Sequence, residues 1–259
     1  MSSIAVLGAT GSLGSHVARQ ALAAGHDLSV MVRTPARLDA ELAAKARVEV
    51  ADLAAAPLDL LSRFADGQQA LICCAGVVTE GPKFVALIER IIEAVEAVPA
   101  QRRPPCWFMA GAALLDLDGK GRRGVDLPKV RDTYWPHRVN FERLCRSSLD
   151  WRLLCPGPMV EQPALGLARL RLSVEVLPAP LPPLARHLPA AALLPLFAWR
   201  VPEMIVPYAD AAACMLAHTA PGGPLSQRRV GLALPLGMRG RKDQWAAQPR
   251  AVEETLKKA

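Results

Sequence analysis

Residues 4–33, "IAVLGATGSLGSHVARQALAAGHDLSVMVR", decide the fold. The stretch begins with a short apolar run, breaks at Gly8, Gly11 and Gly14, continues at helical spacing and ends on Arg33. A short apolar run that ends at glycine predicts a buried strand, and apolar residues three and four positions apart predict a helix. The stretch therefore predicts a strand, a glycine turn, a helix and a second strand.

Four further apolar runs alternate with helical patterns as far as residue 160. The runs are "RVEVADL", "QALICCAG", "CWFMAG" and "WRLLCPG", and the helical segments include "FVALIERIIEAVEAV" and "VNFERLCRSS". Strands that alternate with helices pair in parallel through right-handed crossovers. We therefore expect an α/β fold built on a doubly wound parallel sheet.

The organisation of the chain changes after residue 160. Prolines crowd positions 156–207, where we expect an irregular region with short strands. The helix "ADAAACMLAHT" and the strand "RVGLALP" then return to the sheet, and a polar tail or docked short helix begins at Asp243. No flexible linker separates the parts. We therefore expect one domain over 1–259, with a core in 1–160 and a smaller elaboration in 161–259.

Composition narrows the classes of function. The net charge is +7, but the basic residues are spread out and no helix-turn-helix or zinc-finger spacing is present, so we expect no nucleic-acid partner. The apolar run "LPAAALLPLFAW" is too short to cross a bilayer, and we interpret it as core or pocket wall rather than an interfacial or oligomer surface. The six cysteines form no C-x-x-C pair, which indicates buried, reduced thiols of a cytoplasmic protein. We expect a monomer or a homodimer.

The glycine turn predicts a binding site for a dinucleotide. A strand that turns into a helix through glycines presents backbone N–H groups and a helix dipole to a pyrophosphate. Gly8, Gly11 and Gly14 stand in that context, with a second strand about twenty residues further on. The alternative is an ordinary glycine-rich turn.

The end of the second strand favours one cofactor over another. An acidic residue there binds the ribose 2′-hydroxyl and repels a 2′-phosphate, whereas this chain has Arg33, followed by Thr34 and Arg37. Two guanidinium groups suit a phosphate, so we expect NADP(H). The alternative is a solvated surface arginine.

These motifs resemble the atypical short-chain dehydrogenase/reductase superfamily, a Rossmann-type group that includes NADPH-dependent flavin and biliverdin reductases. "GATGSLG", "ADL" (51–53), "CCAGVV" (73–78) and "RLCRSSLDWRLLCPGPM" (143–159) carry the resemblance. It implies that the first loop holds the pyrophosphate, that Asp52 and Leu53 touch the adenine, and that Ala75, Gly76 and Val77 line the ribose and nicotinamide. The cofactor residues are then Gly8, Thr10, Gly11, Ser12, Leu13, Gly14, Arg33, Arg37, Asp52, Leu53, Ala75, Gly76 and Val77.

The catalytic half of the resemblance is incomplete. Most of the superfamily uses Ser or Thr after the fifth strand and a Tyr-x-x-x-Lys helix, but residues 109–112 are "MAGA" and Tyr-x-x-x-Lys is absent. The position of that lysine falls on His137 or on Arg138, and Tyr134 fits the register if arginine replaces lysine. Because proline suits the first turn of a helix, we expect the helix to begin near Pro136, with Tyr134 outside it. His137 would then be neutral in the first turn. Tyr134 or His137 is the candidate for proton transfer, and Arg138 for anchoring ribose or substrate.

The charged segment 115–136 lies where ligands bind in this fold, and segments of this length are often lids. Asp116, Asp118 and Asp126 fit no calcium loop, so we interpret them as solvated charges and expect no metal site.

The residues together favour an NADPH-dependent oxidoreductase that reduces a small molecule such as a flavin, a quinone or another conjugated or carbonyl compound. The missing hydroxyl and lysine leave a second reading open, a non-catalytic NADP(H)-binding redox sensor. A redox-neutral isomerase or epimerase with tightly held cofactor is a third.

Overall fold

The structure is a computed structural model that describes residues 2–241, so the tail expected from Asp243 lies outside the described residues. Strands and helices alternate along most of this length. Within it the chain forms ten strands: Ser3–Leu7 (β1), Asp27–Val32 (β2), Arg47–Val50 (β3), Ala70–Cys73 (β4), Cys106–Met109 (β5), Trp151–Leu154 (β6), Met159–Val160 (β7), Arg171–Val174 (β8), Val206–Pro207 (β9) and Arg228–Ala233 (β10).

Seven α-helices connect these strands in the same part of the chain. They are Ser12–Ala23 (α1), Ala40–Lys45 (α2), Leu58–Ala65 (α3), Pro82–Glu96 (α4), Val130–Cys145 (α5), Ala190–Arg200 (α6) and Tyr208–Ala217 (α7). None of the helices described combines the length and apolarity needed to cross a bilayer.

One eight-stranded sheet organises the fold, in the order β3-β2-β1-β4-β5-β6-β10-β8. Neighbouring strands from β3 to β10 are parallel, and only the edge strand β8 runs antiparallel, against β10. Strands β7 and β9 form a separate parallel pair. The strands that follow β1 are added on one side of it, as β2 and β3, and the later strands are added on the other side, beginning with β4. The carboxyl ends of β1 and β4 therefore form a topological switch point, the place where ligands bind in open α/β sheets.

Both faces of the sheet are buried. Ala5 and Leu7 of β1 point into the core beneath α3, α4 and α5, whereas Ile4 and Val6 point into the core beneath α1, α2 and α7. Side chains alternate between the two faces of a strand, so a strand buried on both faces consists of consecutive apolar residues. The expected doubly wound α/β fold is confirmed.

Two expectations, about residues 156–207 and about the cysteines, are confirmed only in part. The short strands β8 and β9 are present where they were expected. The run at 188–199 lies mostly in helix α6 and not in irregular structure, because alanine and leucine favour helix strongly enough to tolerate Pro195. All six cysteines are free thiols, but Cys145 is exposed rather than buried. Complete burial raises the pKa of the Cys73 thiol to about 12.

Candidate functional site

Two of the three loop glycines are required by packing within the protein. A Cβ atom at Gly14 would lie 2.1 Å from the carbonyl oxygen of Gly8, so glycine at 14 lets α1 approach the end of β1. Gly8 has φ +83°, and a Cβ there would lie 2.8 Å from the amide nitrogen of Ala75. Gly8 therefore brings the loop after β4 against the loop after β1.

The packing of the protein does not require glycine at position 11. A Cβ at Gly11 would meet only the Gly8 carbonyl oxygen, at 3.4 Å, which is ordinary contact. Gly11 is also the N-cap residue of α1, no side chain caps the helix, and its first turn contains no acidic residue. The exposed backbone at Gly11 and the uncapped amides at the start of α1, which we call the cradle, suit an anionic group.

The other loop residues surround this cradle. Thr10 is half-buried and Ser12 is exposed, whereas the Leu13 side chain is buried in the core and leaves only its backbone to a ligand. Beside them, Gly76 has φ +97° and Val77 is 54% exposed. The sequence-predicted residues of β1 and β4 thus lie together at the switch point.

The outer end of the site brings Arg33 and Asp52 together. Arg33 is 72% exposed at the end of β2, and its Nη1 lies 3.9 Å from Asp52 Oδ2, beyond the end of β3. The Asp52 carboxylate also accepts a hydrogen bond from the amide of Ala54 at 3.0 Å. Arg37 is exposed nearby in the chain, and Leu53 packs partly against the core. A guanidinium and a carboxylate therefore share this end.

Helix α5 begins earlier than its proline suggests. It spans Val130–Cys145, so Tyr134 lies inside it, one turn before Arg138, and the expected start near Pro136 is wrong. Lys129, at φ 68°, precedes the helix, and the amide of Arg131 donates to the Leu127 carbonyl at 2.9 Å. Pro136 is buried, and packing of the helix compensates for the backbone hydrogen bond that proline cannot donate.

His137 is the most constrained polar group of the site. Only 6% of the residue is exposed, and its ring contacts Phe84 edge-on at 5.8 Å and Tyr134 in a stack at 6.0 Å between centroids. Its Nδ1 is buried without a hydrogen-bond partner among residues 2–241. Burial lowers the pKa of His137 to about 4, so the imidazole is neutral at pH 7. The expected neutrality holds, but its cause is burial and not a helix N-terminus.

The ring of His137 lies beside the end of β5. A Cβ at Gly111 would lie 3.6 Å from His137 Nε2, so the imidazole borders the backbone just beyond the end of β5. Arg138 is directed elsewhere: its guanidinium lies 3.9 Å from Asp126 and 3.9 Å from Glu142. The structure therefore brings Tyr134 and His137 together and pairs Arg138 with acidic residues.

The charged segment after β5 is fastened to the protein. Arg122 donates to the Leu188 carbonyl at 2.6 Å and the Ala185 carbonyl at 3.0 Å, and it pairs with Asp118. The Asp118 side chain is fully buried, so its interpretation as a solvated charge is wrong. Among the residues that the structure describes, no group of three potential ligands could hold a metal ion.

A second layer of residues near α1 was not predicted from the sequence. His16 Nε2 lies 2.9 Å from Glu161 Oε1, and the His16 ring stacks on Tyr208 with 6.1 Å between centroids. Asp210 is fully buried and accepts hydrogen bonds from the amides of Leu165 and Gly166, at 2.8 and 2.9 Å. The only sequence signal for these contacts was Asp210 itself, an acidic residue within the apolar helix "YADAAACML".

Replacing Asp210 should loosen the segment that follows β7. Asp210→Ala leaves two backbone N–H groups without acceptors, and an unsatisfied buried donor costs about 1–3 kcal/mol. We therefore expect the free energy of unfolding in urea to fall by about 2–4 kcal/mol. A loss no larger than that of Asp59→Ala, at an exposed acidic position of α3, would contradict this role.

Comparison with known proteins identifies the family. Residues 8–175, more than half of the chain, match the family model for NAD(P)H-binding proteins. The chain belongs to this family, which confirms the expectation drawn from the phosphate loop. No curated protein sequence matches the chain significantly.

Solved structures share the fold at low sequence identity. A Lactobacillus casei protein is 17% identical, with TM-score 0.68, over 90% of this chain and 99% of that chain. A candidate NADH-flavin reductase from Streptococcus pneumoniae is 20% identical, with TM-score 0.64, over 90% and 100%. An anaerobilin reductase from Escherichia coli O157:H7 is 14% identical, with TM-score 0.59, over 91% and 98%. At these identities the likeness shows the Rossmann-type fold alone.

Proposed function

We propose that the protein is an NADPH-dependent reductase of the atypical short-chain dehydrogenase/reductase type, acting on a flavin, a quinone or another conjugated or carbonyl compound. One observation carries the proposal: position 11 is glycine although the packing around it admits a Cβ, and it lies over the uncapped start of α1. Space and amides at this point suit a pyrophosphate. Two of the structural neighbours are themselves named as reductases.

The charges at the outer end of the site support NADP(H) over NAD(H). Arg33 is exposed, and Arg37 lies one turn further along the chain. Asp52 lies close to Arg33, but at 3.9 Å it leaves most of the guanidinium's hydrogen-bonding capacity to a ligand. A 2′-phosphate at this place would receive charge-assisted hydrogen bonds from Arg33.

Arg33→Ala should therefore change cofactor preference. We expect the Kd for NADPH to rise about 10- to 100-fold, because charge-assisted hydrogen bonds are worth about 1.5–3 kcal/mol, while the Kd for NADH stays within about twofold. Titration calorimetry with both cofactors measures the ratio. Arg63→Ala, an exposed arginine of α3, is the matched control. An equal loss for both cofactors would refute the role of Arg33 in selecting the phosphate.

The residues at the inner end of the site suit a reduction that needs little acid catalysis. When bound, the nicotinamide supplies a hydride. Beside its proposed place, Phe84, Tyr134 and His137 form one contiguous aromatic wall. The neutral imidazole can donate one hydrogen bond to a substrate oxygen without carrying a charge. We assign this donation to His137 and a supporting role to Tyr134, whereas Arg138 binds a ribose or a substrate only if it leaves Asp126.

Turnover with defined acceptors tests the function. Purified protein is incubated with NADPH and FMN, a naphthoquinone or an aromatic aldehyde, and the loss of nicotinamide absorbance is followed. We expect oxidation of NADPH with at least one acceptor and a loss of that rate in Gly11→Val. Bound NADPH without turnover across the panel would exclude the reductase.

A second function is favoured by one specific observation. No hydroxyl group follows β5, since residues 109–112 are Met, Ala, Gly and Ala. A protein that binds NADP(H) without catalysis would need no such group, and it would report the ratio of reduced to oxidised cofactor to a partner. Turnover in the acceptor assay would eliminate this alternative.

The last part of the proposal concerns the compartment, the kind of partner and the oligomeric state of the protein. We propose a cytoplasmic protein, because all six cysteines are free, and a small-molecule substrate rather than nucleic acid. We also propose that the chain acts as one domain, as a monomer or a homodimer.

A further inference from the structure

Helix α6 has an apolar surface on its solvent side. Residues 188–199, "LPAAALLPLFAW", contain no polar side chain, yet only Leu193 and Phe197 of α6 are buried. The outward positions Ala191, Pro195, Ala198 and Trp199 follow helical spacing and are all exposed. Helices on a protein surface normally place polar residues on that side. The run is therefore only partly the core or pocket wall that its sequence suggested.

Exposed apolar residues also lie in the segments next to both ends of α6. Leu184, just before the helix, is 67% exposed, and Trp199, at its end, is 49% exposed. The segment of Leu236 and Met238, which are 82% and 38% exposed, lies beside the end of the helix. The Gly240 amide holds that segment there by donating to the Pro202 carbonyl at 2.7 Å. We call Leu184, the outward face of α6, Leu236 and Met238 the α6 surface.

Positive charge borders the α6 surface. Arg186 precedes the helix, and the guanidinium groups of Arg200 and Arg239 lie 4.4 and 5.4 Å from the centroid of the Trp199 ring. Residues 176–202 contain no Asp or Glu. The next acidic residue, Glu203, is only 8% exposed and is bound by Arg171 and Arg200. Glu203 also lies 4.0 Å from Arg239. One carboxylate thus pairs with several arginines, and the border formed by Arg186, Arg200 and Arg239 keeps a net positive charge.

We propose that the α6 surface docks the protein onto an anionic phospholipid membrane, as a peripheral contact that does not span it. Exposed leucine and tryptophan suit the boundary between headgroups and acyl chains, and arginines around them suit anionic headgroups. Apolar burial alone would also fit a second copy of the chain. In a two-fold contact, however, each basic border would face the same basic border of the partner, which charge repulsion disfavours. Charge complementarity thus selects the membrane.

Vesicle sedimentation tests the docking, and it does not depend on the proposed enzymatic function. The full chain is pelleted with vesicles of phosphatidylcholine containing about 30% phosphatidylglycerol and with vesicles of phosphatidylcholine alone. We expect binding to the anionic vesicles only, weakening as NaCl rises from about 0.05 to about 0.5 M. The double variant Leu184→Glu/Trp199→Glu should bind about tenfold more weakly or not at all, because it buries charge in place of apolar surface.

A matched variant separates this surface from general changes of charge. The double variant Leu58→Glu/Leu172→Glu introduces the same two negative charges at exposed leucines outside the α6 surface. Its affinity for the anionic vesicles should stay within about twofold of that of the unaltered chain. Equal losses in both variants, binding independent of lipid charge, or no binding would overturn the proposal. A lipid-free dimer that only Leu184→Glu/Trp199→Glu dissociates would assign the surface to a second copy instead. Binding seen only after removal of residues 242–259 would assign it to the tail.

Discussion

Gly11→Val should abolish NADPH binding and leave the fold intact. A Cβ at Gly11 meets only one protein atom, the Gly8 carbonyl oxygen at 3.4 Å, so the native structure can accept the side chain. The branched methyl groups then fill the cradle over the start of α1 and keep the pyrophosphate away from its amides. We expect the Kd for NADPH to rise more than about 100-fold, since the loss of several charge-assisted hydrogen bonds costs about 3 kcal/mol or more.

A substitution at Gly14, in the same loop, should affect folding rather than cofactor binding. Gly14→Ala adds a Cβ 2.1 Å from the Gly8 carbonyl oxygen, and that clash is with backbone that cannot move aside. We expect this smaller substitution to lower the thermal midpoint or prevent folding, whereas Gly11→Val changes the midpoint by only a few degrees. Calorimetry of NADPH binding and thermal unfolding of both variants check the pair. Retained cofactor affinity in Gly11→Val would remove the central support of the proposed function.

The first half of the fold was predictable because local sequence and tertiary structure agree there. Apolar runs such as Ser3–Leu7 and Ala70–Cys73 are buried on both faces, and glycines mark the turns between strand and helix. Helix α5 shows the limit of such reasoning. A proline in a helical pattern predicts a boundary, but Pro136 lies inside Val130–Cys145, because packing of the whole helix outweighs one lost hydrogen bond.

The candidate site likewise has one part that the sequence predicted and another part that it did not. The cofactor loops could be predicted because each lies at a glycine motif directly after a strand. Contacts between distant segments left no such signal: His16 and Glu161 are 145 positions apart in sequence, and Asp210 binds amides 44 and 45 positions before it. The buried state of Asp118 likewise depends on Arg122 and on the carbonyls that Arg122 reaches. Spacing along a single chain does not report such pairings.

Burial of His137 should make the protein unstable to mild acid. The folded-state pKa is about 4, below the ordinary value of 6.5, because the low-polarity surroundings disfavour the imidazolium. The unfolded chain therefore takes up a proton at His137 before the folded chain does. The stabilising contribution of neutral His137 is complete above pH 6.5 and declines as the pH falls from 6.5 to 4. This difference amounts to about 3 kcal/mol across the window.

His137→Phe removes the titration and keeps a ring of similar size against Phe84 and Tyr134. Urea unfolding at pH 7, 6, 5 and 4 should show the free energy of unfolding falling more steeply with acid in the unaltered protein than in His137→Phe. The difference in the free energy of unfolding between the two proteins should change by about 3 kcal/mol from pH 7 to pH 4. Parallel curves for the unaltered protein and His137→Phe would mean that His137 titrates normally and is not enclosed as the structure places it.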